Sequence, residues 1–170
     1  MTRYTVVARM LHWIMAALLI ANLVLGFAHE ALPRDWGVMP LHKSIGLTVL
    51  ALTVCRIVWR LTHRSPALPK EMPGWEKSAA HVTHLAFYAL MLAVPLSGWI
   101  MTSAGSRPLT WFALFDVPKF GVGREDALTG LAHEAHELLP WLWSALLLLH
   151  IGAALRHHLV LKDDVLRRMT

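Results

Sequence analysis

Cysteine is almost missing from this chain of 170 residues: Cys55 stands alone, inside an apolar run. One thiol builds no disulfide framework, and no C-x-x-C-H occurs, which removes covalent attachment of a c-type haem. Charge is scarce as well, at 16% Asp, Glu, Lys and Arg against 56% apolar residues. That balance is too apolar for a soluble domain of this size and points to an integral membrane protein. None of the eleven acids falls in the middle of a long apolar segment. A proton pump or ion-coupled transporter ordinarily needs a carboxylate at mid-depth, so electron transfer is favoured over transport. The formal charge of +5 invites a nucleic-acid reading, but no basic run is interleaved with aromatics, so no nucleic acid is expected. Internal repeats and low-complexity tracts are missing too.

What is present is long apolar runs, eight tryptophans and eleven histidines. The tryptophans suit a protein with two membrane–water interfaces to populate. A bilayer core of about 30 Å takes about 20 helical residues. Four segments meet that length, roughly 8–28, 42–61, 80–103 and 133–160. Pro95 and Pro140 fall inside spans, where neighbouring helices absorb the lost hydrogen bond. The first segment has the charged start of a signal peptide but no small-x-small cleavage site, so it is expected to remain as a span. The expected fold is all-α: one four-helix membrane domain over 1–170.

The N-terminus, the second connection and the C-terminus carry eleven Lys and Arg, Lys70 among them. The first and third connections carry five: Arg34, Lys43, Arg107, Lys119 and Arg124. That bias predicts both termini in the cytoplasm. The inner connection, THRSPALPKEMPGWEKS, is Pro-rich and polar, hence a loop. The outer one contains Gly121 and Gly123 and is long enough to fold over the outer surface.

Histidine in hydrocarbon is costly unless something pairs with it. With this topology His29, His42, His133 and His136 lie near the outer surface, and the other seven near the inner one. His136 and His150 are 14 residues apart. At about 100° per residue that is about 40° short of four turns, with a rise of about 21 Å, so one helix face offers an imidazole near each side of the membrane. Outside, His42 is the best-placed partner. Inside, His12 on the first span competes with His81 and His84 on the third. Bis-histidine pairs between facing helices are how a bundle core holds haem b. The competing reading of a single membrane histidine is a hydrogen bond to a neighbouring helix; for His29, His63 and His133 it is plain solvation.

The segments RMLHW, LHKSIG, HVTHLAFYALMLAVPLSGW, HELLP with its histidine 14 residues before the next, and AALRHHLVLKDD follow one another along the chain. In these the sequence resembles the prokaryotic cytochrome b-561 family of four-span, di-haem inner-membrane proteins. The resemblance implies two non-covalent haem b groups, the inner one between His12 and His150 and the outer one between His42 and His136. It implies an oxidoreductase that oxidises superoxide outside and reduces ubiquinone in the bilayer. His81 and His84 then either touch propionates around the inner site or are plain helix-packing polar residues, and Arg56 and Arg60 meet propionates or the cytoplasmic surface. Lys43 could do the same outside, and Gly46 lies one turn from His42 as a close-approach or plain packing glycine. His157, seven residues beyond His150, and Trp13, beside His12, are candidates for a quinone head group; the competing reading makes Trp13 part of the aromatic belt and leaves His157 solvated like His158. Lys43, Arg107, Lys119 and Arg124 could steer an anion, but Asp116, Glu125 and Asp126 nearly cancel them. Three alternatives stand beside this reading: a membrane subunit linking a periplasmic dehydrogenase or hydrogenase to quinone, a histidine-rich metal transporter, and a structural scaffold.

Overall fold

The computed structural model describes residues 3–67, 69 and 72–170; Lys70, counted among the inner-side cations, lies outside the described residues. Its frame is four helices long and apolar enough to cross a membrane. Helix α1, Val6–Ala28, starts at Thr5, whose hydroxyl accepts from Ala8 N–H at 3.3 Å. That satisfies one of the orphan donors of a first turn. After α1, a 3₁₀ turn at Arg34–Trp36 leads to Gly37. Gly37 has φ of 65° and, having no Cβ, turns the chain freely into α2, Val38–Thr62.

Helix α3 runs over Gly74–Ser103 and α4 over Ala127–Leu155. Both carry an internal proline, Pro95 and Pro140, without being broken. Packing is sequential around the bundle, α1 on α2, α2 on α3 and α3 on α4. Helices α2, α3 and α4 each begin several residues before the apolar segment that signals them. Hydropathy marks where lipid begins, whereas helices continue into the interface. The fourth span differs at its other end: the α-helix stops at Leu155 and continues as a π-helical turn, Arg156–Leu161, capped by Lys162 at φ 52°.

Few side chains are fully buried, because most of the helical surface faces lipid; Leu85, Leu148 and Leu149 are each 71% exposed. The packed core is small and lies at mid-depth. Met15, Leu90, Met91, Val94 and Trp143 form it, with Leu19, Tyr88 and Leu146 against it. In the connection between α3 and α4, a two-stranded antiparallel hairpin, β1 (Thr110–Trp111) and β2 (Phe115–Asp116), folds onto α2. Phe112 N–H donates to Ser44 Oγ at 2.9 Å, and the Trp111 indole donates to Thr48 Oγ1 at 3.0 Å.

Candidate functional site

Two cavities flank the mid-depth core. The one nearer the hairpin, called outer after the expected topology, is about 640 Å³ and is lined by His42 and His136. The inner one, about 620 Å³, is lined by His84, His150 and His157.

The outer pair comes from facing helices. His42 is in the second turn of α2 and His136 in the third turn of α4, and their ring centres are 6.1 Å apart. Two imidazoles on opposite sides of one metal, each bound at about 2.0–2.1 Å, hold their ring centres roughly 6.3 Å apart. His42 Nδ1 donates to the Asn22 carbonyl at 3.1 Å, and His136 Nδ1 donates to the Val94 carbonyl at 2.9 Å. A carbonyl only accepts, so both protons are on Nδ1 and both Nε2 atoms keep a lone pair. Such orientation of ligating imidazoles by their second nitrogen is the rule at metal centres. Ser97 Oγ also lies 3.2 Å from His136 Nδ1 and donates to Val94 at 2.8 Å.

Space for these rings is made by two glycines. A Cβ at Gly98 would stand 2.7 Å from His136 Cε1, and one at Gly26 would stand 3.0 Å from His42 Cε1. Sequence reasoning named neither, because the signal is an inter-helix distance. Gly46, which it did name, lines the same cavity but touches only Asn22, at 3.6 Å from its would-be Cβ.

The inner cluster has three imidazoles. His12 is 6.3 Å from His150 by ring centres, and His84 is 6.4 Å from it. Either separation suits a bis-imidazole pair, so distance does not choose between them. His12 Nδ1 accepts from Arg56 Nη2 at 3.4 Å, a long contact. Ligation through His12 Nε2 requires Arg56 to release that nitrogen, which frees the guanidinium for an anion. Arg56 and Arg60 both line the inner cavity; Arg56 Nε donates to the Tyr88 hydroxyl at 3.3 Å and Arg60 lies over the Tyr88 ring. His81 faces outward, its Nδ1 donating to the Lys77 carbonyl at 2.6 Å.

The remaining histidines separate cleanly. His29, His63 and His133 are exposed. His29 caps α1 through Gly26, His63 stacks on Trp59, and His133 pairs with Glu137. His157 is different: it is 9% exposed and lines the inner cavity, unlike a solvated residue. Trp13, 49% exposed, is absent from that lining, and its indole N–H donates to the Met169 carbonyl at 2.8 Å. The outer donor set therefore fits a bis-imidazole-ligated group of haem size, with both second nitrogens already anchored; the inner cavity is lined by His150 and His84, and His12 stands outside that lining at 6.3 Å from His150 by ring centres. Among the described residues no three His, Cys, Asp or Glu converge to hold a bare metal ion.

Comparison with known proteins agrees with that chemistry. A family model described as prokaryotic cytochrome b561 matches residues 3–170. The chain is 34% identical to cytochrome b561 homolog 2 of Escherichia coli K12, over 98% of this chain and 90% of that one. It is 30% identical to cytochrome b561 homolog 1 of the same organism, over 75% and 72%. It is 32% identical to a probable superoxide oxidase CybB of Yersinia pestis, over 94% and 90%.

Proposed function

The chain belongs to the prokaryotic cytochrome b561 family, and from that premise we propose a di-haem protein that carries electrons from superoxide to ubiquinone. Membership makes it a haem b-binding, multi-pass bacterial membrane protein with electron-transfer, oxidoreductase work. The finer reading places it in the inner membrane with both termini cytoplasmic. One observation carries it: imidazole pairs at 6.1 and 6.3 Å, each beside a cavity of about 640 or 620 Å³.

His42 and His136 hold the outer haem, and His12 and His150 the inner one. Each bound haem supplies an iron that takes and gives one electron at a time. The chain's own contribution is placement. Nδ1 anchors at Asn22 and Val94 fix the outer rings before the group arrives. Arg56 and Arg60 inside, and Lys43 outside, line the cavities as cations for the two carboxylates that a haem carries. Met15, Val94 and Trp143 fill the layer between the cavities and keep water out of it.

Superoxide as donor rests on the Yersinia pestis relative's description as a probable superoxide oxidase. Lys43 at the outer cavity is the cation placed to attract an anion, although Glu30 and Glu137 line the same cavity. Quinone meets the chain at the inner cavity, where His157 offers a hydrogen bond; Trp13, its N–H already engaged, offers only its ring face. The purified protein should reduce a short-chain ubiquinone when fed by an enzymatic source of superoxide. Quinone reduction that ignores superoxide would remove the donor. A second reading, a subunit serving a periplasmic dehydrogenase, is favoured by the hairpin tip, where Leu114 and Phe115 are 72% and 57% exposed. It predicts a copurifying partner and no response to superoxide.

A further inference from the structure

Past the π-helical turn the chain folds back across the inner end of the bundle. Lys162, at φ 52°, makes the reversal. Asp163 fixes it, its N–H donating to the His157 carbonyl at 3.1 Å and its carboxylate accepting from His157 Nδ1 at 2.5 Å. A short 3₁₀ turn, Leu166–Arg168, follows. The far end of this segment is then tied to two other parts of the molecule. At the start of α1, Tyr4 N–H donates to the Arg168 carbonyl at 3.1 Å, and the Trp13 indole donates to the Met169 carbonyl at 2.8 Å. Arg9 donates to the backbone oxygen of Thr170. In the inner connection, the Ala67 carbonyl accepts from Arg168 Nη1 at 2.5 Å.

Between the reversal and these ties, Val165, Arg168 and Met169 form part of the inner cavity's wall. Tyr4 and Pro69, from the two parts to which the segment is tied, line the cavity as well. The segment thus runs along the cavity from the end of α4 to the start of α1. Its hold is light. Arg167 and Thr170 are exposed, the other residues from Asp163 onward are half-buried, and none belongs to the packed core. All four ties are hydrogen bonds to backbone carbonyls close to solvent. Few apolar contacts and bonds near the solvent edge mark the parts of a fold that open locally, well before the whole unfolds.

Trp13 links the segment to the imidazoles. Its ring meets that of His12 edge to face, with centres 5.2 Å apart, while its N–H holds Met169. The bond that secures the segment therefore sits beside a candidate ligand of the inner site.

We propose that residues 163–170 are a latch, hinged at Lys162 and clasped by Tyr4, Arg9 and Trp13, which opens to let haem into or out of the inner cavity. The proposal rests on the di-haem reading above and adds to it the route by which one of the two sites is filled. With the clasp closed, Val165 and Met169 stand between the cavity and water on the inner side. With the clasp released, the segment turns about Lys162 and uncovers the cavity while all four spans keep their packing. The outer cavity shares no residue with the latch, so it fills and empties independently.

The experiment times haem loss from the purified, detergent-solubilised protein to an excess of apomyoglobin. His136→Ala carries the inner haem alone and His150→Ala the outer haem alone, so each site is timed separately. Into both backgrounds go two changes. Trp13→Phe keeps a ring against His12 and removes only the N–H donor. A chain ended after Asp164 keeps the Asp163 contact to His157 and removes the clasp. Inner haem should leave about fivefold faster in Trp13→Phe, the worth of one hydrogen bond, and about 50-fold faster from the shortened chain. Outer haem should leave at the parent's rate in both. Hydrogen exchange on the haem-bound Trp13→Phe protein should quicken at residues 163–170 and at Tyr4, with the helices as protected as in the parent. Inner haem lost from the shortened chain at the parent's rate would overturn the proposal. Equal acceleration at both sites, or faster exchange throughout the helices, would overturn it too, because the segment would then be a general support of the fold. A parent protein that yields no inner haem at all would instead overturn the di-haem reading.

Discussion

Gly98 shapes the outer site by having no side chain. A methyl there would meet His136 Cε1 at 2.7 Å, and the imidazole is tied through Nδ1 to Val94 and Ser97 of the same helix as Gly98, so retreating from the methyl would stretch those bonds. Gly98→Ala should therefore lose outer haem while the inner haem stays bound, and Gly26→Ala, with its closest contact at 3.0 Å, should lose less. The ratio of haem to protein, read beside the spectrum, checks both; full haem content in Gly98→Ala would show that the ring moves freely. A second residue-scale test addresses the inner cluster. His12→Ala should remove the inner haem and His84→Ala should leave it bound, although both rings stand within 6.4 Å of His150. The reverse outcome would make His84 the ligand. Depth and a 14-residue spacing on one helix face singled out His42, His136 and His150, and only the family resemblance added His12. The residues by themselves could not rank His12 against His84, since depth places them alike, and they could not show Gly26 or Gly98, whose role exists only across a helix interface.

Among the elements, the hairpin is held by part-buried hydrogen bonds to α2 rather than by its own length. Two-residue strands have no independent stability. Ser44, 2% exposed, accepts from Phe112 N–H and donates to the Pro40 carbonyl at 2.9 Å. Phe112 and Ala113 sit at positive φ, 46° and 58°, a conformation costing non-glycine residues roughly 1–2 kcal/mol each, so the turn depends on such anchors. Ser44→Ala leaves the Phe112 N–H without its acceptor, at a cost of about 1–3 kcal/mol. Proteolysis within the hairpin should become faster while haem content is retained; an unchanged cleavage rate would mean that the Trp111–Thr48 bond suffices. Apolar run lengths revealed all four helices. Their ends were less legible: Glu76 and Lys77 lie inside α3, where charge reads as the end of a span while the backbone stays helical, and α4 begins at Ala127, six residues before the segment that signals it. The π-helical turn left no hydropathy signal, so the sequence could offer His157 as a quinone candidate but could not decide between that and a solvated neighbour of His158.

For the whole molecule, the arrangement is two mostly apolar cavities, each carrying imidazoles and cations in its walls, stacked along the bundle and divided by an apolar layer. A chain with so little buried core, ten apolar residues among those described, gains much of its internal packing only when the cavities are filled. Loss of either group should then lower thermal stability as well as redox capacity, and His136→Ala and His150→Ala should each melt below the parent. A melting temperature independent of haem content would contradict that coupling. In the proposed assignment His42 with His136, and His12 with His150, each hold one haem b. The most direct measurement is pyridine haemochrome stoichiometry per chain in the purified parent, His136→Ala and His150→Ala. The account predicts two haems, then one, then one, with the two single variants retaining spectrally different haems. One haem in the parent, or two in either variant, would contradict it.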